Sequence, residues 1–128
     1  MMVRHTFGKA ERLKSRKSID ALFKEGQRFN MGSIRVLYRP VAQPGIRVGV
    51  GVSARQFKLA VERNRVKRLL RESYRLQKQI LAPVVEHCKG LDVFFIYTAP
   101  AMPAYSALAP QMEKILTKLN TILAKESN

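Results

Sequence analysis

The run Arg63-Asn64-Arg65-Val66-Lys67-Arg68-Leu69-Leu70-Arg71-Glu72 constrains this chain more than any other stretch. On an α-helix, at about 100° per residue, Asn64, Lys67, Arg68, Arg71, Arg75 and Lys78 fall on one face. Val66, Leu69, Leu70, Ser73 and Ile80 fall on another, with Leu76 and Leu81 at its margins. Arg63 and Arg65 flank the basic face from its two edges. Such a helix needs a core on one side and a polyanion on the other, because like charges at this density repel one another. Asn64, a neutral amide among cations, suggests a hydrogen bond to a specific group.

The rest of the chain supplies the core. Ile19, Leu22 and Phe23 give the i, i+3, i+4 stripe of a helix over about Arg16 to Glu25, stopped by Gly26. Two strands follow. Ile34, Val36 and Tyr38 alternate with Arg35, Leu37 and Arg39, and Ile46, Val48, Val50 and Val52 alternate with Arg47, Gly49, Gly51 and Ser53. Pro44-Gly45 is a turn signal between them, and Arg28 to Met31 adds a further short strand. The basic helix is expected from about Leu59 to Leu81, limited by Pro83. Leu91 to Thr98 reads as a buried strand. A last helix from about Ala107 to Ala124 carries Leu108, Met112, Ile115, Leu116, Leu119, Ile122 and Leu123 on one side. The order is α-β-β-β-α-β-α, an α+β sandwich in which helices cover a small sheet. The 128 residues are expected to form one domain, residues 1–14 being a flexible basic N-terminal segment.

Charge narrows the partners. Lys and Arg number 24 against 9 Asp and Glu, a net charge of +15. This excess points to nucleic acid, an anionic membrane or an acidic protein. It is patterned: residues 53–78 hold nine cations and only two acids, Glu62 and Glu72. Five of the seven cations from Arg63 to Lys78 are Arg, whose planar fork suits phosphate. A solvated helix face is the plainer alternative, but its cations have few acidic partners. A membrane-surface helix is disfavoured because the sheet needs the apolar face.

Chemistry expected of a protein active site is missing. His5 and His87 are isolated, and the single Cys88 offers neither a disulfide nor a metal cluster, which fits a reduced cytoplasmic compartment. No Gly-rich phosphate loop follows a strand; Gly49 and Gly51 lie inside one, where they allow close backbone approach. Residues 93–112 are uncharged but broken by Pro100, Pro103 and Pro110, so no membrane span is expected. By spacing, Phe23 is core, while Tyr38 is either core or a ring that stacks on an unpaired base.

Together these residues resemble the protein subunit of bacterial ribonuclease P. The likeness rests on Arg63-Asn64-Arg65-Val66-Lys67-Arg68, preceded by Ala60-Val61-Glu62 and followed by Leu69 to Tyr74. It extends to Phe7-x-Lys9-x-x-Arg12-Leu13, to Leu22-Phe23-x-x-Gly26, to Tyr38 and to the valine-rich strand, covering roughly residues 6–124. The resemblance implies a left-handed crossover through the basic helix, against the usual preference. It also implies that a large RNA carries the active site and its Mg²⁺, the protein holding no cofactor. The protein would bind that catalytic RNA and the 5′ leader of precursor tRNA, with no membrane or DNA partner. Arg63, Asn64, Arg65, Lys67, Arg68 and Arg71 match the motif facing the catalytic RNA, with Arg75, Lys9 and Arg12 beside it. Phe23 and Tyr38 match positions lining the leader cleft, and Ile19 occupies a cleft position that is often Phe. Ala54-Arg55 stands where paired lysines are common. The competing expectation is a ribosomal or general structured-RNA-binding protein with no enzymatic role.

Overall fold

A computed structural model describes residue 8 and residues 11–126. Its elements are α1 (Arg16–Glu25), β1 (Gln27–Met31), β2 (Ile34–Val41), β3 (Gly45–Val52), α2 (Ala60–Arg75), β4 (Gly90–Tyr97) and α3 (Tyr105–Glu126), with short 3-10 turns at Lys78–Ile80 and Ala82–Glu86. The α-β-β-β-α-β-α order expected from periodicity is therefore present. The strands form one sheet in the order β1-β2-β4-β3. β1–β2 and β2–β4 pair antiparallel, whereas β3–β4 pair parallel, so α2 lies in the crossover between two neighbouring parallel strands.

Register decides which side chains meet. Leu37, Phe94 and Gly49 are aligned across β2, β4 and β3, and so are their neighbours Tyr38, Val93 and Val48. Successive residues of a strand point to opposite faces, so these two rows line opposite sides of the sheet. One side carries the larger core, in which Val36, Val93 and Phe95 meet Val66 and Leu70 of α2 and Met112, Ile115 and Leu119 of α3. Each such fully buried side chain contributes about 1.5–3 kcal/mol relative to exposure. The other side carries a small cluster, Leu13, Leu22 and Leu37, under α1.

Local chemistry explains most boundaries. Ser15 caps α1, its Oγ accepting from the Ser18 N–H at 3.3 Å. Gly45 takes φ +104° at the turn into β3, as Pro44-Gly45 suggests. The β1–β2 turn is pinned to α3 by Gln111 Oε1, which accepts from the Ser33 N–H at 2.8 Å and its hydroxyl at 3.0 Å. Asp92, almost fully buried, is held by Arg47 at 2.8 Å across the parallel pair.

Two expectations need correction. The basic helix stops at Arg75 rather than Leu81. Gln77 turns away with φ −123°, and its side-chain amide donates to the Ser73 carbonyl at 3.1 Å and the Ala109 carbonyl at 2.9 Å. Lys78 thereby leaves the basic stripe and pairs with Glu11 at 2.6 Å. The N-terminal segment, expected to be flexible through residue 14, is docked over residues 11–13. Leu13 is buried and its N–H donates to the Val48 carbonyl at 3.0 Å, while Arg12 bridges Val48 in parallel. Residues 1–7 and 9–10, including Lys9, lie outside the described residues.

Candidate nucleic-acid interface

The apolar half of α2 fixes the direction of its basic half. Val66, Leu70, Ser73 and Tyr74 are buried, so Asn64, Arg65, Arg68 and Arg71 are turned to solvent. A groove of about 560 Å³ runs along this face, and its walls carry Arg12, Asn64, Arg65, Arg68, Arg71 and Arg75. Val61, 78% exposed, adds an apolar edge at the amino end. Lys67 is half-buried and does not line the groove.

Glu72 is the one acid in the groove wall, and Arg75 occupies it. The Arg75 Nε donates to Glu72 Oε2 at 3.1 Å, and Nη2 bonds Oε1. That hydrogen bond holds the Glu72 carboxyl below its usual range and raises the Arg75 guanidinium, with Arg68 also lowering Glu72. Arg71 is shifted down, first by partial burial and then by the neighbouring charge of Arg12.

Arg63 is placed differently from the expectation. Its Nη1 donates to the carbonyls of Phe57 and Lys58, both at 2.8 Å. The guanidinium thus closes the loop that enters α2, where Leu59 at the cap position makes no side-chain capping bond. Arg63 stands at the edge of the stripe, next to unsatisfied loop carbonyls, and those carbonyls take its donors. It positions the basic face instead of lining the groove.

A second surface lies on the α1 side of the sheet. Phe23 is 41% exposed and meets Phe94 edge-on, with ring centroids 5.3 Å apart and planes at 71°. Phe94 occupies the space that side chains on β3 would fill. A Cβ on Gly49 would sit 2.7 Å from its ring, and one on Gly51 2.9 Å from it. The two glycines therefore accommodate the Phe94 ring, and at Gly49 the Leu13 backbone oxygen is also close, 3.4 Å from where a Cβ would sit. A groove of about 200 Å³ at the edge of β3 is lined by Ile19, Gly49, Phe94, Lys14, Arg12 and Arg71, among others.

Ile19 and Phe23 thus share one side of the sheet, and Phe23 is a surface ring rather than the core residue its spacing suggests. Tyr38 does not join them. It follows Leu37, whose side chain packs with Leu22 under α1, so strand alternation sends Tyr38 to the opposite face. There it is 5% exposed, with its ring 6.1 Å from that of Phe29. Phe94 was hidden in the sequence inside the apolar run Leu91 to Thr98; the signal that marks it is the Gly49-x-Gly51 pair on the facing strand.

Among the described residues no group of three or more His, Cys, Asp or Glu side chains could hold a metal ion, and no helix is long and apolar enough to cross a membrane.

Comparison with known proteins identifies the family. The family model described as ribonuclease P matches residues 7–120. The ribonuclease P protein component of Porphyromonas gingivalis strain W83 is 35% identical over 120 residues, covering 89% of this chain and 88% of the relative. That of Chlorobaculum tepidum is 30% identical over 121 residues, covering 90% of this chain and 79% of the relative. The Staphylococcus aureus RNase P protein structure shares the fold with a TM-score of 0.67 at 24% identity, covering 87% of this chain and 96% of that one. The Thermotoga maritima RNase P protein gives the same TM-score and identity, covering 84% of this chain and 96% of that one. The family match across nearly the whole described chain, with relatives of this identity and coverage, means that the chain belongs to the ribonuclease P protein family.

Proposed function

We propose that this chain is the RNA-binding subunit of a ribonuclease P holoenzyme in the cytoplasm, acting in the 5′ maturation of tRNA. The arginine-lined groove on α2 carries the reading: four exposed polar side chains, Asn64, Arg65, Arg68 and Arg71, project from a helix whose other face is locked into the core. Guanidinium forks at this density suit the phosphates of a folded RNA. In this reading α2 faces the catalytic RNA, and the Phe23–Phe94 surface faces the single-stranded leader of precursor tRNA, where exposed rings stack on bases of any sequence. Phosphodiester hydrolysis belongs to the RNA partner and its Mg²⁺. The chain contributes binding and orientation as one RNA-binding domain.

The test is a cleavage assay on precursor tRNA. Purified protein alone should leave the substrate intact. Added to its catalytic RNA at low Mg²⁺, it should promote cleavage at the mature 5′ end, and Arg65→Ala with Arg68→Ala should remove that effect. Cleavage by RNA-free protein that survives stringent nuclease removal, or no effect of the protein on the RNA's activity, would overturn the reading.

A further inference from the structure

The large groove on α2 and the small groove at the edge of β3 have two residues in common, Arg12 and Arg71. They come from distant parts of the chain and meet at the wall between the two surfaces. Both are exposed, and the Arg71 guanidinium is shifted down, first by its partial burial and then by the charge of Arg12. Two like charges on one shared wall repel one another, so the chain must hold them there.

Each is held from behind. Leu13, next to Arg12, is buried and donates its N–H to Val48. Glu11, on the other side, pairs with Lys78 at 2.6 Å. Arg12 is thus fixed at both flanks, against β3 and against the 3-10 turn that follows α2. Arg71 follows the buried Leu70 and lies one turn before Arg75 on the same rigid helix. The backbone anchors therefore oppose the repulsion and keep both positive forks on the wall that the two grooves share.

We propose that Arg12 and Arg71 form a two-guanidinium clamp for one RNA phosphate, shared by the two grooves, so that both RNA strands depend on it. The proposal rests on the reading of α2 as the catalytic-RNA face and the α1 side as the leader face, and extends it by joining them. A phosphate between the forks accepts from both at once and relieves their mutual repulsion. Removing either fork costs most of that gain, because the remaining one no longer grips two oxygens in concert. The two residues should therefore act as a unit.

The experiment uses full-length protein and two probes, a labelled single-stranded RNA octamer and transcribed ribonuclease P RNA, titrated by fluorescence anisotropy. Arg12→Gln and Arg71→Gln should each weaken both probes by roughly tenfold, the effect of losing a charge-assisted bond. The double variant should lose little more than either single one. Arg12→Lys and Arg71→Lys, which keep charge but lose the fork, should fall between. Arg65→Gln should weaken only the ribonuclease P RNA, and Phe23→Ala only the octamer. Melting temperatures of all variants should match the parent, since both arginines are exposed. Losses confined to one probe, or a double variant whose losses multiply to about a hundredfold, would overturn the clamp. If the clamp variants are silent while Arg65→Gln still weakens the ribonuclease P RNA, the clamp fails and the α2 reading stands. If Arg65→Gln is silent too, the α2 reading itself has failed.

Discussion

Tyr38 is the residue on which the two faces of the sheet are most sharply distinguished. Its ring is buried in the layer between the sheet and α3, across from Val93 and beside Phe29. A buried aromatic removes roughly 150–200 Å² from water, worth about 4–5 kcal/mol at about 25 cal/mol per Å². Tyr38→Ala should therefore lose about 3–5 kcal/mol of stability, in line with other aromatic truncations in cores. For a chain of 128 residues, with an unfolding entropy of about 2.1 cal/mol/K per residue, a loss of about 4 kcal/mol lowers the melting temperature by roughly 15 °C. Tyr38→Phe keeps the ring and should lose no more than about 1.5 kcal/mol. The assay is thermal denaturation followed by circular dichroism, paired with octamer binding at a temperature where both variants remain folded. Binding should be near that of the parent, because the ring lies on the face of the sheet opposite Phe94 and Phe23. A Tyr38→Ala protein that melts within about 2 °C of the parent yet loses octamer binding would refute the placement of this ring in the core.

Phe23→Ala should do the reverse: octamer affinity falls by about 1–3 kcal/mol, as for stacking platforms, while the melting temperature changes little. Arg63→Ala should cost stability, about 1.5–3 kcal/mol for two charge-assisted bonds to carbonyls, whereas Arg65→Ala should cost RNA affinity; denaturant midpoints and RNA titrations on the same two proteins separate them. For Arg65→Ala the slope of log affinity against log salt should also flatten by about 0.7–0.9. Cys88 is pushed up by burial, so less of it is thiolate at a given pH than in the unfolded chain. Iodoacetamide at pH 8.5 should accordingly label it more slowly in native protein than in urea, and equal rates would contradict that shift.

The elements themselves were legible because their periodicities are strong. The α1 stripe Ile19, Leu22, Phe23 and the β3 alternation Ile46 to Val52 each name one structure and place its ends within a residue or two. Two kinds of information were not local enough to read. The first is where side-chain hydrogen bonds go: Gln77 ends α2 by reaching across to Ala109, a contact between positions far apart in the chain. The second is which face of the sheet each strand residue takes. Tyr38 and Leu37 are both apolar neighbours, and only the packing of Leu37 with Leu22 decides between them. The arginine stripe was readable as a surface because its back is so apolar. That Arg63 turns inward to Phe57 and Lys58 was not, since loop carbonyls leave no mark in the sequence.

The strand order β1-β2-β4-β3 carries a consequence for how the protein emerges from synthesis. β4 is the second to last element made, yet it occupies a central slot between β2 and β3, and it pairs with both along their lengths. Until residue 97 has been produced, β2 and β3 have no common partner, and each presents an unpaired apolar edge. The apolar back of α2 likewise waits for Phe95, whose ring lies 6.0 Å from that of Tyr74. A nascent or truncated chain ending before β4 is thus an aggregation-prone fragment carrying a loose basic segment, able to attract any polyanion without discrimination. The arginine face becomes a shaped surface only when the strand inserted late closes the sheet behind it. The strand order in this sense postpones the shaping of that face until late in synthesis.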